Sequence, residues 1–294
     1  MKKPIVNISE SVLKKLLNVS RKIGENYNAL LTQYVIERFL FRLSKSTVSE
    51  SFVLKGAMLF RVWTGSLHRP TKDLDLLGFC DPSIKSVVAT LREIVTIEVQ
   101  DDGVRYDFES ITISEIREEE EYGGVRVKLY AFIGTARIPM QIDIGFGDSV
   151  YPDPLISNYP TLLEMEEPTL RMYSAETVVA EKVEAVVSRG MLNSRVKDYY
   201  DLFVLFRDYE LDDRVLAKAI ASTFRGRKIE LPTYFPVELS DEFAINERVV
   251  TLWNEFLRRL RINDAPAEFS AVVRTIRNRI WPIIADANNQ TDRD

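Results

Sequence analysis

The feature that most constrains the fold of this chain is a change of hydrophobic period with a proline cluster where the change occurs. Apolar and polar residues alternate over 104–113, 125–133 and 138–146, and β-branched side chains dominate, which predicts three strands. Further on, the apolar spacing is helical over 175–189, 195–207, 213–224, 241–260 and 267–280. Between these regions stand Pro152, Pro154, Pro160 and Pro168, too dense a set for a continuous regular element. The expectation is two domains, residues 1–165 and 166–294, with a linker at 151–168.

The N-terminal part mixes element types. Helical spacing over 9–43 predicts two helices, followed by a strand at 52–54, a helix at 57–63 and a strand at 73–77. A helix from Pro82 to Val95 comes next, with Pro82 in its first turn, and the last ten residues look like a frayed tail. This order suggests an α+β or α/β sheet domain followed by a helical one. No apolar run approaches the roughly 18 residues of a membrane span, and the start MKKPIVNISESVLKK lacks a signal-peptide core, so a cytoplasmic protein is expected.

The single Cys80 and single His68 exclude an internal disulfide, a cysteine zinc cage and a multi-histidine centre, so any metal must rest on carboxylates. The net charge of -5 argues against non-specific coating of nucleic acid but leaves room for a local basic face.

The run TKDLDLL sends Asp73 and Asp75 to one face of a strand and Leu74 and Leu76 to the other. Two carboxylates side by side disfavour each other's ionisation unless a cation joins them. Magnesium suits them, since it takes hard oxygen ligands and leaves part of its shell to water and phosphate. In MQIDIGF, Ile142 and Ile144 face inward and Asp143 points out with Gln141, offering a third carboxylate, while Gly145 and Gly147 permit close approach of a ligand to the backbone. An isolated D-x-D is more often a solvated face. Its weight here comes from Lys55-Gly56 upstream, a strand-to-helix turn whose N–H groups suit a phosphate.

Two charges fall in apolar stripes. At about 100 degrees per residue, Lys182 lies among Val178, Val179, Val183, Ala185 and Val186, with Glu181, Glu184 and Ser188 on the polar side, Ser174 as N-cap and Gly190 as stop. Asp198 shares a face with Leu202 and Leu205, and Asp201 borders it. Two readings stand together: a buried ion pair between helices, and a lysine that grips triphosphate oxygens while Asp198 orients it or assists the nucleophile.

These blocks together resemble the AbiEii/AbiGii nucleotidyltransferase toxin family of the DNA polymerase β-like superfamily, which includes MenT-like toxins. FVLKGAMLF through RPTKDLDLLG matches the family's glycine turn and acidic pair with Lys55, Gly56, Arg69, Asp73 and Asp75. QIDIGFGD supplies Asp143, ETVVAEKVEAVV supplies Lys182 and RVKDYYDLF supplies Asp198, all in order from residue 52 to 203. The resemblance implies an α+β fold, a polymerase β-like domain of mixed sheet and flanking helices followed by a helical C-terminal domain that contributes Lys182 and Asp198. It also implies a nucleotidyltransferase using an NTP with Mg²⁺ or Mn²⁺ on Asp73, Asp75 and Asp143, in a toxin–antitoxin or phage-defence system. Where the family commonly has a small hydroxyl residue after its glycines, this chain has Ala57 and Met58, and Ser66 is the nearest replacement for the lost phosphate contact.

Arg225, Arg227 and Lys228, then Arg258, Arg259 and Arg261, then Arg274, Arg277 and Arg279 offer basic surface for a polynucleotide. With the resemblance they point to the tRNA 3' end as acceptor and to an antitoxin as partner. Nucleotidylation of a protein or a small molecule such as an antibiotic is the alternative within enzymes, and a non-catalytic nucleotide- or RNA-binding module is the alternative outside them.

Overall fold

The computed structural model describes residues 7–65, 68–116, 123–188, 190 and 194–291. The chain divides into two compact units, Met1–Gly147 with Leu155–Met172, and Asp148–Pro154 with Tyr173–Asp294.

The first unit is built on a seven-stranded mixed sheet. Two helices lead in, α1 (Ile8–Ile23), capped by the Asn7 side chain, and α2 (Tyr27–Lys45), buried from Leu30 to Leu43. Then come β1 (Phe52–Lys55), the short α3 (Leu59–Thr64), β2 (Asp73–Gly78) and α4 (Ile84–Thr96). Ser83 caps α4, so Pro82 precedes the cap instead of entering the first turn. The long strands β3 (Val104–Ile116), β4 (Gly124–Ile133) and β5 (Ala136–Phe146) follow, with β6 (Leu155–Asn158) and β7 (Thr169–Met172) completing an order of β3-β4-β5-β2-β1-β7-β6. Leu74, Leu76, Val127, Leu129, Ile142 and Ile144 alternate into the core as the period-two reading requires.

The expected linker therefore holds a strand. β6 pairs antiparallel with β7 at the sheet edge, so Pro154 and Pro160 flank it without removing a ladder hydrogen bond. Because β7 pairs with β1, the sheet unit continues to Met172, past residue 165.

Burying α2 on nearly all sides requires its charges to be satisfied. Arg42 Nη1 and Arg38 Nε donate to Asp102 Oδ2 at 2.7 and 3.1 Å, and Tyr34 donates to the Asp102 carbonyl at 2.8 Å. Glu37 is fully buried and accepts from the Leu162 N–H at 2.7 Å. Burial raises its carboxyl from 4.5 to about 7, against the lowering effects of that hydrogen bond and of Arg38. The folded state thus holds this proton more tightly than the unfolded one. Its stabilising contribution is complete below about 4.5 and is lost as pH rises to about 7. Glu37→Gln keeps the acceptor and removes the titration, so its stability is expected to be flatter across this window and greater above it, by about 3 kcal/mol. Denaturant midpoints measured against pH check this.

The second unit is helical: α5 (Ala175–Val187), α6 (Val196–Asp208), α7 (Asp213–Gly226), α8 (Asp241–Ala244), α9 (Glu247–Leu260) and α10 (Phe269–Thr291). The single helix expected over 241–260 is broken because Asn246 caps a new one. The expected frayed tail is instead helical through Thr291. On α6, Tyr199 stacks on Phe243 and meets Phe269 edge-on, while Tyr200 meets Phe256. No helix among the described residues is long and apolar enough to cross a membrane.

Candidate active site

Cross-strand register collects the charged residues of the first unit. Lys55 on β1 lies opposite Asp75 on β2, Asp75 opposite Asp143 on β5, and Asp143 opposite Arg126 on β4. Opposed residues on neighbouring strands share a face, so four charges form one row across four strands, each about 4.8 Å apart. A second row, Asp73, Gln141 and Lys128, lies beside it. All of these except exposed Lys128 are half-buried.

Gly56 fixes where Asp75 sits. Its φ is +76°, a conformation open to glycine, and a Cβ at this position would fall 2.1 Å from Asp75 Oδ2. The turn is a single tight one over Gly56–Met58, and the following α3 has six residues. The turn brings the Asp75 carboxylate against the Gly56 backbone.

Asp143 is held by a guanidinium fork. Arg126 Nε donates to Asp143 Oδ1 at 2.8 Å and Nη2 to Oδ2 at 2.7 Å, and Gln141 Nε2 adds a third contact at 3.3 Å. The hydrogen bond donated to Asp143 is the main reason the Arg126 pKa is raised, and the charges of Asp73 and Asp75 add to it. Sequence reasoning missed Arg126. The alternation Val125, Arg126, Val127, Lys128 places it outward, and the signal that could have found it is the two-residue Gly134-Thr135 turn, which makes β4 and β5 a hairpin and sets Arg126 opposite Asp143. The donor set suits a hard divalent cation, with two carboxylates on one face and a third on the adjacent strand. Among the described residues, however, no three acidic, histidine or cysteine side chains converge closely enough to hold an ion as they stand.

A cleft of about 880 Å³ continues along this face, lined by Asp73, Lys72, Gln141, Lys128, Arg137 and Tyr130 among others. The Arg137 guanidinium lies 3.5 Å over the Tyr130 ring. Arg69 is half-buried in the loop before β2. Ser66 lies outside the described residues.

In the second unit Lys182 and Asp198 meet. Lys182 Nζ donates to Asp198 Oδ1 at 2.9 Å and to Asp201 Oδ2 at 2.6 Å, and Arg195 Nε lies 2.6 Å from Asp198 Oδ2. The Lys182 side chain is 12% exposed. Burial works to raise the Asp198 carboxyl, and the charges of Lys182 and Arg195 outweigh it, leaving the group below its ordinary value. Glu184 is not on a polar face: it is buried, bonded to Ser188 and paired with Arg227 of the α7 C-cap. That pairing, with those of Arg277 to Asp241 and Arg279 to Asp213, removes three arginines from the expected basic surface, while Arg258, Arg259 and Arg261 stay exposed at the end of α9.

The family described as "Nucleotidyl transferase AbiEii toxin, Type IV TA system" matches residues 38–275. None of the curated proteins matches in sequence. Among solved structures, MenT4, a nucleotidyltransferase toxin from Mycobacterium tuberculosis H37Rv, superposes with a TM-score of 0.59 at 16% identity, covering 93% of this chain and 92% of that one. JHP933 from Helicobacter pylori gives 0.49 at 14% identity, covering 91% and 96%, and a putative nucleotidyltransferase from H. pylori gives 0.48 at 14%, covering 90% and 98%.

Proposed function

Because the chain belongs to the AbiEii nucleotidyltransferase toxin family of type IV toxin–antitoxin systems, we propose that it transfers the nucleoside monophosphate of an NTP to the 3' hydroxyl of tRNA in the cytoplasm and releases pyrophosphate. The observation that carries this reading is the row Lys55, Asp75, Asp143 and Arg126, with Gly56 packed against Asp75. Asp73, Asp75 and Asp143 are the residues to hold Mg²⁺ or Mn²⁺. When bound, such a cation lowers the pKa of an attacking hydroxyl and offsets charge developing at phosphorus. Lys55 and Arg69 are the residues to meet triphosphate oxygens, and Lys182, oriented by Asp198 and Asp201, is a further cation for nucleotide phosphate.

A polynucleotide acceptor is supported by the cleft beside Asp73, where Lys72, Lys128 and Arg137 offer charge and Tyr130 an aromatic face. The exposed arginines ending α9 add a second basic surface. The family implies an antitoxin as partner and fits a role in phage defence.

Parallel incubations with labelled NTPs and either total tRNA, cell protein or an aminoglycoside test the acceptor. Label is expected in tRNA. Label confined to protein or to the small molecule overturns that assignment while leaving the transferase chemistry in place.

A further inference from the structure

Among the described residues the carboxylates suited to a cation stop short of a cage, and the Arg126 guanidinium stands next to them. Both Asp143 oxygens are engaged by the Arg126 fork at 2.8 and 2.7 Å, a bidentate geometry that is strong and directional. Arg126 also feels the charges of Asp73 and Asp75, so it answers part of the field of all three carboxylates. Its side chain is 39% exposed, against 17% for Asp143, so the guanidinium has room to leave while the carboxylate is fixed in the sheet. A divalent ion arriving here competes with it directly.

Resting on the proposed metal-dependent transfer, we infer that Arg126 is a positioning residue that occupies Asp143 in the empty site and exchanges it for the cation. The guanidinium, released on the same sheet face, then binds a triphosphate oxygen. Empty, the site is self-neutralised and binds metal weakly without nucleotide. Metal and NTP entering together satisfy both partners of the broken pair, so each is expected to bind more tightly in the presence of the other.

The test uses the full chain and Mn²⁺ alone, followed by electron paramagnetic resonance of the free ion. Arg126→Met is expected to bind Mn²⁺ about tenfold or more tightly than wild type, because a competing positive charge is gone. Arg126→Lys, which keeps charge but loses the fork, should fall between them. NTP affinity at saturating Mn²⁺ moves the opposite way, weakening in Arg126→Met. A residue that serves only to hold the strands together would lower both affinities. Unchanged or weaker Mn²⁺ binding by a folded Arg126→Met, or by Arg126→Lys should the methionine variant fail to fold, overturns the inference. Adding Asp75→Asn separates the two levels of argument. If that substitution leaves Mn²⁺ binding intact, the metal-site reading itself fails; if it abolishes binding but Arg126→Met does not strengthen it, only the exchange fails.

Discussion

Lys182→Met lowers the unfolding free energy by roughly 3–5 kcal/mol, because it strips the shared cation from two carboxylates that are almost fully buried. Asp198 and Asp201 side chains are 3% and 0% exposed, and Arg195 lies 2.6 Å from Asp198. For a chain of this size the thermal midpoint should fall by roughly 10 °C. The acid side of the stability profile changes too. A carboxyl depressed in the folded state stabilises above its ordinary value, and that contribution is lost as pH falls through its folded value. With Lys182 gone the depression shrinks, so acid unfolding begins at higher pH in the variant. This has a consequence for any activity assay, since loss of transfer in Lys182→Met alone does not separate a catalytic lysine from a structural one. The combination Lys182→Met, Asp198→Asn, Asp201→Asn does, because it removes the orphaned charges and recovers most of the stability. If Lys182 or Asp198 takes part in the reaction, stability returns and transfer does not; if the cluster is structural only, both return.

The second large effect is at Gly56. Gly56→Ala must fit a Cβ 2.1 Å from Asp75 Oδ2 and 2.9 Å from Asp75 Cβ, so the carboxylate has to move. A displacement of about 1 Å in a reacting site is enough to lower transfer roughly a hundredfold. Strain at φ +76° adds a stability loss of about 1–2 kcal/mol. Gly24→Ala is the control: it shares the positive φ, at +75°, with nothing within 4 Å of the added Cβ. It should lose comparable stability and keep its activity. Transfer in Gly56→Ala within a few fold of wild type would show that Asp75 is not needed where the glycine holds it.

What the sequence made legible follows from the range of each signal. Period two placed Asp73, Asp75 and Asp143 outward from Leu74, Leu76, Ile142 and Ile144, and helical period placed Lys182 and Asp198 inward, because side-chain direction is set by local geometry. Neighbourhood was not legible in the same way. That β5 lies beside β2 follows from a parallel crossover that no local pattern encodes, whereas β4 joins β5 through the two-residue Gly134-Thr135 turn, and the pairing of Arg126 to Asp143 was missed because the register of that hairpin was not worked out. Glu184 was read as solvated because its partner Arg227 is 43 residues further on. β6 was hidden by the flanking Pro154 and Pro160 and by exposed Leu155 and Ile156, which give an edge strand no alternation to read.

The central claim is that this chain moves a nucleoside monophosphate, and the position of the label decides it most directly. Wild-type protein is incubated with Mg²⁺ or Mn²⁺, total tRNA and each NTP labelled either at the α- or at the γ-phosphate. The account predicts α-label in the RNA and γ-label in pyrophosphate, with both signals lost in Asp75→Ala. Transfer of γ-label, or no transfer from any of the NTPs by a folded protein with either metal, would contradict it.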